Sequence, residues 1–207
     1  MIELDHPLRL VFPERTREDF VYLPMSFVDP DVILGPDMLC ISGANPYMLG
    51  VLESSVHRAW IRAVGRFEDG FLVYDPCTVY NNFPWPRERP VEKPDGGCGE
   101  PIRQLVSQTA QGILDARAAH PGVSLGVLYS SETMPVDLRA AHEANDAVVL
   151  SAYGLPPDAD DVAVQTLLFT RYAALVGSGN VQCVGPAARS LPHGRFHASR
   201  SFGRHRR

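Results

Sequence analysis

Three groups of residues in this sequence have the types and spacing to engage a polyanion and read its edges. Arg58, Arg62 and Arg66 recur every four residues, so a helix would carry three guanidinium forks along one stripe, on the face opposite much of its apolar side. Two readings stay open for that stripe: a solvated helix face, or a row of forks tracking a phosphate backbone. No acid falls on the stripe although the chain is acidic, which adds weight to the second reading while the solvated face stays first. PERTREDFVYLP, residues 13–24, places Arg15 and Arg17 beside Glu18 and Asp19. Base-edge recognition needs that mixture, with arginine donating to guanine and a carboxylate accepting from cytosine, and a plain surface hairpin would look the same. VYNNFPWP, residues 79–86, packs two amides, two prolines and three aromatics into eight positions. Asn81 and Asn82 are candidates for bidentate pairing with adenine. Tyr80, Phe83 and Trp85 have the bulk to anchor a last strand, with Pro84 and Pro86 stiffening the exit.

Other motifs fall short of the chemistry they suggest. ANPYMLG, residues 44–50, contains Asn-Pro-Tyr but lacks the Pro-Pro turn that lets an asparagine and a backbone carbonyl grip the amino group of a flipped adenine. No glycine-rich cofactor loop precedes it, so a turn is expected there. HEAND, residues 142–146, begins like a zinc-binding His-Glu-x-x-His but ends in Asp146, with no third ligand near. A hydrogen-bonded interface histidine is expected at His142, and no metal. Neither Gly-x-Ser-x-Gly nor a P-loop is present. Cys40, Cys77, Cys98 and Cys183 form no Cys-x-x-Cys pair and are read as buried or incidental thiols.

The elements that must position these residues follow from periodicity. Residues 1–50 alternate short apolar runs (LRLVF, FVYLPMSFV, VILG, MLCISG) with Asp-Pro, Gly-Pro and Gly breaks, a pattern of short strands and turns. Residues 49–65 switch to helical spacing through Leu52, Val56, Ala59, Trp60, Ala63 and Val64, with Gly65 as the stop. FLVYDPCTVY returns to strand character. RERPVEKPDGGCGEP, residues 87–101, reads as a linker. Helices are expected near 101–119, from Pro135 to about Tyr153, and over about 158–176, where Asp158, Asp160 and Asp161 complement the helix dipole. The class is α+β: a partial mixed α/β domain over 1–90, a linker over 91–100, a helical domain over 101–177 and a disordered basic tail over 178–207.

The chain has 207 residues, 45% of them hydrophobic and 21% charged, values of a globular protein with a core. No apolar run reaches membrane-spanning length and MIELDHP is no signal peptide, so no membrane partner and a cytoplasmic location are expected. Residues 186–207 hold six arginines and no acid, which leaves 13 of the 19 basic residues against all 24 acids, a net charge of −11, for residues 1–185. A body so acidic binds phosphates only through a face that concentrates its arginines.

Taken in order, GVLESSVHRAWIRAVG, VYNNFPWP, TAQGILDARAAHPGVSLGVLY (109–129), TMPVDLRAAHEANDAVVLSAYG (133–154) and LLFTRYAALV (167–176) resemble the target-recognition and C-terminal regions of MmeI-like type II restriction-modification proteins, over about residues 13–177. Members are adenine-N6 DNA methyltransferases, often fused to a nuclease. The resemblance implies double-stranded DNA as partner, contacted by Arg15, Arg17, Glu18, Asp19, Arg58, Arg62, Arg66, Asn81 and Asn82, with Tyr80, Phe83, Pro84, Trp85 and Pro86 as structural signature. The family's cofactor loop, Asn-Pro-Pro-Tyr and nuclease carboxylates belong upstream of what is present here. No catalysis and no cofactor are therefore expected in this chain, and S-adenosylmethionine is implied for a catalytic segment on another chain. Asn145 stands where the family has an apolar residue and helical spacing buries it, so without partners it would cost about 1–3 kcal/mol. The basic tail has no family counterpart and reads as a frameshifted or read-through end, as expected of a fragment. The alternatives are a helical protein-protein assembly module, or a non-functional remnant of a split gene.

Overall fold

The computed structural model describes residues 8–87, 90–92 and 98–177, so the predicted tail and part of the predicted linker lie outside the described residues. The chain is α+β, with small antiparallel sheets before the linker and four of its six helices after it. Four strands come first: β1 (Arg9–Pro13), β2 (Arg15–Arg17), β3 (Ser26–Val28) and β4 (Met38–Ser42). β1 is the centre of the order β3–β1–β4, with Leu10 opposite Phe27 on one side and Ile41 on the other. Covered on both faces, it reads as the unbroken apolar run Leu10-Val11-Phe12, all three buried. The chain changes sheet at Glu14, whose N–H donates to Asp37 O and whose carbonyl accepts from Tyr74 N.

β2 lies at one edge of a second sheet, β2–β6–β5, completed by β5 (Arg66–Glu68) and β6 (Phe71–Val73). Asp69 and Gly70, at φ of 52° and 78°, make the two-residue turn between β5 and β6. Two residues of positive φ match the strands' right-handed twist, and Asp-Gly is the pair that tolerates them best.

Between the sheets in sequence stand α1 (Pro46–Leu52) and α2 (Ser55–Val64). The single helix expected over 49–65 is two, and the turn expected at ANPYMLG is a helix start. Asn45 accepts from Met48 N at 3.1 Å as N-cap and Pro46 fills the first turn, where a missing N–H costs nothing. The break comes at Ser54, whose hydroxyl accepts from His57 N and caps α2. Ala63, placed on the apolar face by periodicity, is exposed as a result. Within the segment expected to be a plain linker, β7 (Pro90–Glu92) pairs with β8 (Cys98–Pro101); beyond it come α3 (Ile102–Ala118), α4 (Leu125–Leu128), α5 (Val136–Tyr153) and α6 (Asp161–Gly177). Gly154, at φ 78°, caps α5 in the left-handed conformation. No helix among the described residues is long and apolar enough to cross a membrane.

The linker separates two chain segments that share one hydrophobic core. α1 packs on α3 and α5, and α2 on α6, so Leu10, Met48, Trp60 and Phe83 lie in the same cluster as Val106, Val149 and Leu168. Gly50 lets α1 approach: a Cβ there would stand 2.7 Å from Val106 Cγ1 and 2.9 Å from Asn145 Oδ1. Asn145 itself is fully buried and satisfied, donating to Gly50 O at 2.8 Å and accepting from Thr109 Oγ1 at 2.9 Å. The polar residue in an apolar position thus ties α1, α3 and α5 together.

A second tie is ionic. Glu53, in the break between α1 and α2, accepts from Arg117 of α3 at 2.5 and 2.7 Å and from Met25 N at 2.7 Å. Burial pushes the Glu53 carboxyl up and the Arg117 guanidinium opposes it. All these neighbours are donors, the environment of an ionised carboxylate. Arg117 also donates to Met25 O at 2.7 Å and to Tyr129 Oη, leaving the tyrosine's own proton for His142 Nε2 at 2.9 Å. His142, stacked on Tyr22 with ring centroids 4.0 Å apart, is held neutral by burial, its pKa lowered to about 3. Asp146 accepts from Tyr22 Oη at 2.8 Å and from Ser55 N at 2.7 Å. The zinc-like HEAND is therefore a packing device, and no group of three candidate metal ligands exists among the described residues.

Candidate nucleic-acid interface

Three of the arginine candidates, Arg17, Arg58 and Arg62, come together where β2 and the turn after it meet α2, while Arg15 and Arg66 share a row on the other face of the small sheet. Arg17, Glu18, Arg58 and Arg62 line a single shallow depression, floored by Ile61 and Leu72 and walled by Phe20 and Phe67. Strand alternation explains the β2 side: Thr16 points inward at 5% exposure, so Arg15 and Arg17 must both face solvent. Helical spacing explains the α2 side, where Val56, Ala59 and Trp60 are buried and Arg62 is turned out.

The stripe that carries no acid in sequence acquires acids in space. Arg62 pairs with Asp161 at 3.1 Å, across from the first turn of α6. Arg66 and Arg15 both pair with Glu68, each at 3.3 Å. Arg17 pairs with Asp19 at 2.8 Å, which holds the Asp19 carboxyl below its usual range through the hydrogen bond it accepts. All these pairs are solvent-exposed and screened, so they hold weakly and exchange readily for a phosphate. Arg58 departs from the stripe: it is partly buried, donates to Val21 O and lies over the Tyr22 ring at 5.8 Å.

The amide candidates lie elsewhere. Asn82 Nδ2 donates to Cys77 O and Thr78 O at 2.9 and 3.1 Å, closing its own turn, while Asn81 is exposed. That turn replaces the strand expected through Tyr80, because Asp75 captures Cys77 N and Thr78 Oγ1 at 2.9 Å each and curls the chain after β6. Tyr80, Phe83, Pro84, Trp85 and Pro86 are all buried. Phe83 meets His57 edge-on at 4.8 Å and Trp85 at 5.6 Å, and Tyr153 Oη donates to Pro84 O at 2.9 Å. The signature is an irregular plug that fastens α2 to α5. His57 behind it is fully buried, and burial lowers its pKa to about 4. Of the cysteines described with side chains, both are free thiols, Cys40 half-buried and Cys77 exposed.

Sequence reasoning missed the carboxylates Asp161 and Glu68 as partners of the stripe, and Thr16 as part of the depression. It also missed Glu53, although an acid inside the apolar run YMLGVLESSVHRAW signals a buried partner.

Comparison with known proteins gives the chain's relatives. The family model for the MmeI target recognition domain matches residues 3–87, and that for the MmeI C-terminal domain matches residues 100–178. The chain is 34% identical over 145 residues to DNA methyltransferase A of Bacillus subtilis (strain 168), across 70% of this chain and 15% of that protein. It is also similar to the Type IIL restriction-modification enzyme MmeI solved in complex with DNA, with a TM-score of 0.73 and 33% identity over 84% of this chain and 22% of that one. The chain thus spans less than a quarter of the length of either relative. It belongs to the MmeI-like family of type II restriction-modification DNA methyltransferases, matching that family in its target recognition and C-terminal domains.

Proposed function

We propose that this chain supplies DNA target recognition to an adenine-N6 methylation reaction whose chemistry is carried by a segment outside these residues, as expected of a C-terminal fragment working in the cytoplasm with a separate catalytic chain. The observation that carries the reading is the likeness in fold and sequence to an enzyme solved on DNA, along 84% of the chain. Three of its arginines support it: Arg17, Arg58 and Arg62 border one depression. The exposed ion pairs of Arg17 and Arg62 keep the free protein's surface balanced and exchange for phosphates on binding, a sequence-independent term on which base contacts then build.

On this reading S-adenosylmethionine is held by the catalytic segment; among the described residues, the close approaches at Gly50 and Gly65 are taken up by Val106, Asn145, Ile61 and Leu72.

The test is a duplex-binding titration against salt with the wild-type chain and Arg17→Glu, Arg62→Glu and the double variant. Each reversal should weaken binding to any duplex and flatten the dependence of log K on log salt by about 1 for each phosphate left without its arginine. Affinity and slope that ignore both reversals would instead support an assembly module that never touches DNA.

A further inference from the structure

The depression at β2 and α2 contains two buried donors with nothing to donate to. Thr16 is 5% exposed, and its Oγ1 has no hydrogen-bond partner. Arg58 Nε is likewise buried and unmatched, while its Nη1 is fixed on Val21 O. Both side chains line the same depression. A buried N–H or O–H left unpaired is unfavourable, so two in one place call for an acceptor. Arg58 is set apart in charge as well. Arg15, Arg17, Arg62 and Arg66 each meet a carboxylate within ion-pair distance; Arg58 makes no such contact among the described residues and feels the buried Asp146 only at longer range. Apolar walls from Phe20, Ile61, Phe67 and Leu72 strengthen any charge-assisted bond formed there.

We propose that Thr16 Oγ1 and Arg58 Nε together seat one anionic oxygen of the DNA backbone, a contact that positions the duplex without reading its sequence. This rests on the target-recognition reading given above. Glu18, exposed on the rim, opposes a loose anion. A phosphate belonging to a duplex is carried past it by the flanking arginines.

Thr16→Val separates this role from a structural one. Replacing an unpaired buried hydroxyl with a methyl group should leave the thermal midpoint unchanged or raise it. It should also weaken binding to a fluorescently labelled duplex by about three- to tenfold, on every duplex sequence alike. Thr16→Ser should bind like the wild type, and Arg58→Gln should lower the salt slope by about 1. Should Thr16→Val fail to fold, Thr16→Ser against Thr16→Ala decides by the same affinity ratio. Equal duplex affinity for the hydroxyl-bearing and hydroxyl-free variants overturns the seat while leaving target recognition standing. Absence of wild-type binding to any duplex at low salt overturns both. If sodium phosphate at matched ionic strength raises the wild-type midpoint more than that of Thr16→Val while duplex affinities agree, the occupant is a free anion and the proposal falls.

Discussion

Arg117 and Arg62 are the same residue type in opposite settings. Arg117 is 9% exposed, makes a forked contact with a fully buried carboxylate, and adds a carbonyl and a tyrosine hydroxyl as acceptors. Arg62 is 44% exposed and meets one oxygen of one half-exposed carboxylate. In the first setting both charges have lost their water, so neither partner can be removed without leaving the other stranded. In the second, water and salt already compete with the partner, and a phosphate competes on equal terms. The difference separates arginines that hold this fold from arginines left free to act, and substitutions on either side strain it.

The largest effect falls on the junction. Arg117→Met should cost about 3–5 kcal/mol in urea denaturation, because Glu53 stays buried without its counter-charge. Glu53→Gln added to it should recover part of that loss. A cost near zero for the single variant would place Arg117 among the exchangeable arginines and dissolve the contrast. Asn145→Leu comes next, at about 1–3 kcal/mol, since Gly50 O loses its donor beneath a helix contact too tight for a bulkier side chain.

Acid tests the same buried side more gently. His57 and His142 titrate near 4 and 3 in the folded chain because burial disfavours their charge, against an unfolded value of about 6.5. The unfolded chain therefore binds more protons in that interval. The stability present above pH 6.5 is lost as pH falls toward 4, on the order of 1 kcal/mol per histidine per pH unit. Asp146, whose carboxyl burial pushes up, works in the opposite direction and shallows the slope. Histidine Cε1 proton shifts in an NMR titration should show both rings neutral at pH 5. A midpoint near 6 for either would place it in contact with solvent.

The two sides were also unequally legible in the sequence. Helices α3, α5 and α6 were readable from periodicity and end signals, because each has one buried stripe and recognisable caps. The break at Ser54 was hidden by apolar spacing that runs through both α1 and α2, yet Asn45-Pro46 and Ser54 carried capping chemistry that marks two starts. The Asp-Gly between β5 and β6 is a hairpin signal that the sequence carries in plain view. At the candidate interface the residue types were legible and their company was not. Asp161 lies 99 positions from Arg62, and Glu68 lies 53 from Arg15, so only the fold shows that these two arginines are already paired. Asn145 looked like a defect because Gly50 O and Thr109 are likewise distant in sequence.

The smallest change in stability tests the exposed side most directly. Asp161→Asn removes the acid that holds Arg62 but leaves a side chain of the same shape, and the pair's exposure limits the loss to about 0–1 kcal/mol. Under target recognition the same substitution should tighten duplex binding, because Arg62 no longer has to give up a carboxylate before meeting a phosphate. The gain should be greatest at low salt and fade as ionic strength rises. Arg62→Gln should move affinity the opposite way with an equally small change in stability. The double variant should then bind no better than Arg62→Gln alone, apart from the general effect of removing one negative charge from the surface. If Asp161→Asn tightens binding just as much when Arg62 is already glutamine, the aspartate acts only as a distant charge. Arg62 would then have no direct place at the interface, and the exposed pair would be surface and nothing more.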